Sequence, residues 1–227
     1  MPDYLTRIDH SKNQSAERKD RLEMKRRHVR PSEHLIITTD RTSHPTILLV
    51  INFLRGGGAE RQMSQMARYW SDRGVNVTVA TFTNRATADD FYELPSTVRR
   101  VHLGVELGMV RLPAAVAALS GLIRKVSPDA ILSFSEVCNV VTWIASLGAG
   151  KRCCLAIRTN PEETLQILHW SWYIPVFAAY RFCHKLVVQT QATAQWTRKM
   201  VRREVVVINN VLRPMPRPVK DRESLIL

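Results

Sequence analysis

The chain is poor in cysteine. It has four, Cys138, Cys153, Cys154 and Cys183, with no C-x-x-C pair and no regular spacing. Zinc modules need paired ligands at short spacing, so a structural zinc site is excluded and no metal is expected. Each cysteine lies in an apolar stretch, where a free thiol behaves as a small buried hydrophobe. The lack of a disulfide framework points to a reducing, cytosolic compartment. Aromatic residues make up only 7% of the chain, which does not suggest a stacking surface for single-stranded nucleic acid. Long apolar runs are missing too. The longest, 167–183, is interrupted by His169 and Arg181 and falls short of the roughly 20 residues a membrane span requires. A buried or interfacial helix is expected there. Residues 1–24 contain no apolar segment of the secretory type, so no secretory signal is expected. Acidic residues are in deficit, with 20 Asp+Glu against 33 Lys+Arg, a net charge of +13. A basic surface attracts phosphates, whether on nucleic acid, anionic lipid or a phosphorylated small molecule. Composition does not choose among them.

What is present divides into three stretches. Residues 1–44 hold 10 Lys+Arg and 7 Asp+Glu without a sustained period, around the basic run Lys25-Arg26-Arg27-His28-Val29-Arg30. That run reads either as a contact for anionic lipid or nucleic acid or as a solvated extension. The rest of the chain still carries +10, so the basicity is not confined to it. Residues 45–212 read as one folded domain, and 213–227 as a linker studded with Pro214, Pro216 and Pro218. Alternating prolines favour an extended, semi-rigid spacer. The closing Ser224-Leu225-Ile226-Leu227 resembles the opening of a further strand.

Within 45–212 the periodicity alternates. Thr46-Ile47-Leu48-Leu49-Val50-Ile51-Asn52-Phe53 has the continuous apolar pattern of a strand buried on both faces. A glycine triplet follows, then a helix whose Met63, Met66, Ala67 and Trp70 form one stripe. Gly74 stands where a helix-ending glycine would. Further strands are expected at 75–82, 97–103, 129–134, 153–158, 185–189 and 204–209. Helices are expected at 113–125, 137–147, 162–183 (broken near Pro175) and 190–201. Strands alternating with helices imply right-handed crossovers and a mainly parallel sheet between helical layers, a Rossmann-like three-layer α/β domain.

In such a sheet, ligands bind at the carboxyl ends of the strands, where strand order reverses. The strongest local signal lies there: Gly56-Gly57-Gly58-Ala59-Glu60-Arg61 between strand and helix. Glycines let backbone N–H groups approach a phosphate, and the helix N-terminus adds partial positive charge. A tight turn needing glycine for steric reasons is the alternative. The spacing is neither that of a dinucleotide fingerprint nor that of a P-loop, and no acidic residue closes the second strand to hold a ribose.

These residues resemble the opening of a family 4 glycosyltransferase: the aliphatic strand, the glycine segment with Glu60, the helix, and Arg73-Gly74-Val75-Asn76-Val77. The likeness continues through Pro128-Asp129-Ala130-Ile131-Leu132-Ser133-Phe134, Asn139, Arg158-Thr159-Asn160-Pro161, His184-Lys185-Leu186-Val187-Val188-Gln189-Thr190 and Val207-Ile208-Asn209-Asn210-Val211. The resemblance implies the N-terminal, acceptor-side half of a GT-B fold, whose other half carries the E-x7-E motif that this sequence lacks. On that reading the chain is inactive alone, as a fragment or as one subunit of a split two-chain enzyme that recruits a separate C-terminal half. It implies transfer from a nucleotide-sugar donor to a lipid-linked or saccharide acceptor in polysaccharide or glycoconjugate biosynthesis, without a cofactor. Gly56, Gly57 and Gly58 would face the donor diphosphate. Ser133, Ser135, Glu136 and Asn139 would stand on the cleft lip, and Arg158 and Asn160 would close the next strand. There Arg158 grips a phosphorylated acceptor through its guanidinium fork or is a salt-bridged edge residue. Glu136 is either a helix-start carboxylate or a base, so no catalytic base is named. His102, His169 and His184 lack partners at readable spacing and are taken as structural.

Lipid-linked acceptors imply a peripheral place on the inner face of the plasma membrane. Arg198, Lys199, Arg202 and Arg203, with the linker's basic residues, would face its anionic surface. Trp170-Ser171-Trp172-Tyr173 would sit at the head groups or belong to the core. Nucleic-acid binding is the poorest reading, and no nucleic-acid partner is expected.

Overall fold

In the computed structural model, residues 44–84 and 90–210 are described. The expected extension, apart from His44, and the linker 213–227 lie outside them. Seven strands form one sheet: β1 (Thr46–Ile51), β2 (Asn76–Thr81), β3 (Arg99–His102), β4 (Ala130–Phe134), β5 (Cys153–Ala156), β6 (Lys185–Val188) and β7 (Val206–Val207). The order is β3-β2-β1-β4-β5-β6-β7 and every pairing is parallel. Six helices connect them: α1 (Gly58–Ser71), α2 (Leu112–Val126), α3 (Glu136–Gly148), α4 (Pro161–Ile167), α5 (Tyr173–Phe182) and α6 (Gln191–Val201), with a 3-10 turn at Trp170–Trp172. The Rossmann-like three-layer α/β domain read from the sequence is therefore present, and its sheet is wholly parallel.

The central strand explains the layers. Leu48, Leu49, Val50 and Ile51 are all buried, and their side chains alternate between faces at the period of a strand. Leu48 and Val50 join a cluster with Leu119 and Ile123 of α2, Val140 and Val141 of α3 and Val176 of α5. Leu49 and Ile51 pack instead with Met63 and Ala67 of α1. Strand order turns back between β1 and β4, which are neighbours although two strands and two helices separate them in the chain. The loops leaving β1 and β4 are thus adjacent at the carboxyl edge, the place where this topology opens a crevice.

One expectation is corrected here. The segment 162–183 breaks at Leu168-His169, between α4 and the 3-10 turn, rather than at Pro175. Pro175 is the third residue of α5, where the missing N–H would have had no intrahelical acceptor anyway. The break is stabilised by His169, whose Nδ1 accepts the Ser171 backbone N–H at 3.3 Å. Among the described residues, no helix is long and apolar enough to cross a membrane.

Candidate functional site

The carboxyl edge collects the loops after β1, β4, β5 and β6. After β1, Gly57 is the N-cap of α1 with φ −147° and ψ 169°, ordinary extended backbone. The positive-φ glycines are Gly74, Gly104 and Gly150, so the triplet is not glycine because of a left-handed turn. Nor does packing demand it at two of the three positions. A Cβ on Gly58 would meet nothing within 4 Å, and one on Gly56 would reach ordinary contact with the Phe91 ring at 3.6 Å. At Gly57 it would collide with the carboxylate of Glu60, which folds back over the helix start.

After β4, Ser135 has φ 77° and ψ 145°, a conformation that L residues adopt at a cost of about 1–3 kcal/mol. This strained residue turns the chain sharply from the central strand into α3 and puts Glu136 at the helix start. The Glu136 carboxylate accepts the Thr159 hydroxyl at 2.8 Å, and Thr159 meets Thr164 at 2.7 Å. Glu136 is thus tied across the edge to the β5 loop.

Two expected lip residues are not on the lip. Ser133 and Asn139 are both 0% exposed, because β4 is central and the first turn of α3 packs under α5. Asn139 Nδ2 donates to the Ala156 carbonyl at 3.1 Å and to the Tyr180 hydroxyl at 3.4 Å. That role fastens α3 to β5 and α5. Burial, then the nearby Glu136 charge, raises the Tyr180 pKa well above its usual range, so the phenol stays protonated.

Arg158, after β5, is the best-held cation of the edge. Its guanidinium carbon lies 4.6 Å from the Phe134 ring centroid, a cation–π distance. Nη2 donates to Asn210 Oδ1 at 2.8 Å, Asn210 Nδ2 donates to Gln189 Oε1 at 2.8 Å, and Gln189 Nε2 donates to the Arg158 carbonyl at 3.2 Å. This closed ring of amides fixes the arginine without an opposite charge. Among the described residues the ion pairs are Arg100–Asp90 and Arg111–Glu106, so the salt-bridged reading of Arg158 is set aside. Its Nε is buried without a partner among the described residues, and burial lowers its pKa. Asn160 is exposed and donates to Glu163 at 3.2 Å.

Arg158, Thr159, Asn160, Gln189, Thr190, Thr193 and Trp196 line an open groove of about 480 Å³. Gln189, Asn210, Thr193 and Trp196 escaped assignment from sequence. Gln189 and Asn210 stood inside quoted motifs, yet their meeting with Arg158 depends on strand order. Beside the groove, Glu136, Leu168, Val176, Phe177 and Met200 line a narrow apolar cleft of about 40 Å³.

Of the histidines, His102 closes β3 at the carboxyl edge with its Nδ1 3.5 Å from the Thr81 hydroxyl, His169 caps the 3-10 turn, and His184 is exposed. Of the expected basic patch, Arg203 is consumed internally, donating to the carbonyls of Tyr180, Arg181, Cys183 and His184. Arg198 donates to the Val205 carbonyl. Trp172 is buried while Trp170 is 73% exposed, so the aromatic cluster is divided between core and surface. Among the described residues, no group of three His, Cys, Asp or Glu is placed to hold a metal ion.

The family profile described as Glycosyltransferase Family 4 matches residues 56–213. No curated protein matches. Among solved structures, the HepE protein of Anabaena, solved with UDP and glucose, is 19% identical with a TM-score of 0.54 over 74% of this chain and 45% of its own. UDP-N-acetylglucosamine 2-epimerase of Rickettsia bellii is 8% identical with a TM-score of 0.51, over 68% of this chain and 41% of its own. The chain therefore spans less than half the length of either structure, and at these identities the likeness is one of fold.

Proposed function

Because this chain belongs to Glycosyltransferase Family 4, we propose that its carboxyl edge is the acceptor side of a sugar-transfer site, completed by a nucleotide-sugar donor lying against the glycine loop. The observation that carries this reading is the glycine triplet. At the strand-order reversal, Gly56 and Gly58 are glycine although neither backbone conformation nor packing against the described residues requires it. A surface kept free of side chains next to a helix N-terminus suits the close approach of a diphosphate, held by backbone N–H groups. Those donors would stabilise the negative charge on the leaving nucleoside diphosphate as the glycosidic bond breaks. The structure of HepE with UDP and glucose supports a nucleotide-sugar as the donor class.

On the acceptor side, Arg158 is the group for an anion and the hydroxyl-rich groove around it the place for polar acceptor atoms. Glu136, anchored by Thr159, would accept a hydrogen bond from an acceptor hydroxyl. Asn139 acts from beneath, by holding α3 to β5 and α5.

The test uses extracts of cells that overproduce the chain, so that native acceptors and any second component are present. Incorporation of labelled sugar from nucleotide-sugars into lipid-extractable or saccharide product should exceed that of control extracts. It should fall at least tenfold for Gly58→Asp, whose carboxylate would meet the diphosphate. No gain over control extracts would refute the reading.

A further inference from the structure

Four arginines bury a guanidinium nitrogen that finds no partner among the described residues: Arg61, Arg100, Arg158 and Arg198. Three are answered through their other nitrogens. Arg100 pairs with the Asp90 carboxylate, Arg158 donates to Asn210, and Arg198 donates to the Val205 carbonyl. Arg61 is different. Its side chain makes no hydrogen bond or ion pair among the described residues. A half-buried cation that loses water without gaining a counter-charge costs stability, and a bound anion would offset that cost.

Arg61 lines an open groove of about 540 Å³ on the α1 flank of the glycine loop. That groove shares no lining residue with the one around Arg158, and its volume lies in the range of small-molecule sites, about 300–1,000 Å³. One wall is α1. Arg68 follows Arg61 two turns later on the same face, about 10.5 Å along the axis, and Ser64 and Gln65 between them are uncharged. Arg68 is likewise outside the ion pairs of the described residues. Glu60, the acidic neighbour of Arg61, is turned back over Gly57. The other wall is the segment after β2. The Phe91 and Tyr92 N–H groups donate to the Leu54 carbonyl at 3.0 and 3.4 Å, and Arg100 grips Asp90 through hydrogen bonds of 3.0 and 2.9 Å. This wall is thereby fixed to the end of β1 and to β3. On it, Phe91 is 71% exposed, its ring T-shaped against Tyr92 at 5.0 Å. Glu93, also exposed, adds one carboxylate to the groove.

We propose that this groove is a second ligand site, for a sugar ring that bears a carboxylate or a phosphate. The anion lies between Arg61 and Arg68, whose guanidinium forks suit either group. The apolar C–H face of the ring lies on Phe91, and Glu93 accepts hydrogen bonds from its hydroxyls. The lining argues against simpler occupants. A bare inorganic anion would leave Phe91 uncovered and meet repulsion from Glu93, and a neutral sugar would leave both arginines unanswered. The site is separate from the transfer crevice and stands whether or not sugar transfer occurs there.

The experiment titrates the full chain with glucuronate, glucose 6-phosphate, glucose and inorganic phosphate, following backbone amide shifts. Salt is held at 0.15 M, where attraction to distant basic residues is screened. Glucuronate or glucose 6-phosphate should bind about tenfold more tightly than glucose or inorganic phosphate and move the amides of 61–68 and 91–93. The tighter of the two identifies the anion. Arg61→Gln should weaken that sugar about tenfold, the worth of one charge-assisted hydrogen bond. Arg68→Gln and Phe91→Ala, both at exposed positions and checked by thermal melting, should weaken it as well, with inorganic phosphate unaffected by Phe91→Ala. Glucose bound as tightly as the anionic sugars would overturn the proposal. Inorganic phosphate bound as tightly would also overturn it, by showing an adventitious ion only. So would an affinity that survives Arg61→Gln, or shifts confined to Arg158, Thr159 and Thr190, which would put the sugar in the other groove.

Discussion

The two ends of the sheet are built from the same strands and treat their polar groups in opposite ways. At the amino end, β1 and β4 are clamped reciprocally: the Thr46 N–H donates to the Asp129 carboxylate at 2.9 Å and the Asp129 N–H to the Thr46 carbonyl at 2.9 Å. The Asn76 N–H donates to Pro45, and Arg203 gathers four carbonyls at the start of β6. At the carboxyl end of the central strands, Ser135 is strained, Arg158 holds a buried Nε without a partner among the described residues, and Gly58 faces open space. Strain and unpaired buried donors cost stability. The amino end has left-handed residues too, Ser127 and Arg202, and an Arg198 Nε with no partner among the described residues. Both left-handed residues, however, are helix C-caps in the ordinary αL region, whereas Ser135 lies outside it. That backbone, beside open glycines, marks the carboxyl end as shaped for something other than folding.

The largest test of that contrast is Arg203→Ala. Losing charge-assisted hydrogen bonds to several carbonyls should cost about 2–3 kcal/mol in urea unfolding, with pyrophosphate affinity unchanged in the protein that remains folded. A stable Arg203→Ala variant would dissolve the distinction between the ends.

Raising the pH should act mainly on the amino end as well. Burial pushes the Cys183 thiol up to about 12 and the Cys154 thiol up to about 11, both beside β5 and β6. Burial likewise pushes Cys138 in α3 to about 12. An unfolded thiol titrates near 8.5, so above that value the folded chain holds more protons than the unfolded one. Stability should be full below about pH 8.5 and fall as pH rises toward the folded values, by up to roughly 1.4 kcal/mol per pH unit per thiol. Urea midpoints at pH 8, 9 and 10 check this. Cys183→Ala should flatten the slope, and a midpoint constant to pH 10 would contradict the burial account.

The smallest stability effect belongs to Gly58→Ala. With nothing within 4 Å of the added Cβ, unfolding free energy should stay within about 0.5 kcal/mol of wild type. Sugar incorporation in extracts should nonetheless drop. Unchanged incorporation would mean that the glycine loop is merely a connection.

Much of this architecture was legible because periodicity is local. The unbroken run Leu48 to Ile51 announced a strand buried on both faces, and the alternation of strands with helices announced parallel pairing. Position in a break was less legible, since Pro175 is as acceptable in a helix's first turn as at its end. What could not be read were contacts fixed by strand order. Arg158, Gln189 and Asn210 lie up to 52 residues apart, and only β5, β6 and β7 lying side by side closes their ring. Ser133 and Asn139 misled for a related reason. A polar residue near a strand's carboxyl end reads as accessible until the helices that cover it are placed.

The central claim is that the carboxyl edge receives a phosphoryl ligand and the amino edge does not. Mapping backbone amide shifts while titrating the protein with pyrophosphate at 0.15 M salt tests it most directly. The account predicts shifts at Gly56, Gly57, Gly58, Glu136, Arg158, Thr159 and Thr190, with Thr46, Asn76, Asp129 and Lys185 unmoved. Shifts confined to the amino-end residues, or none at Arg158 and the glycine loop, would contradict it.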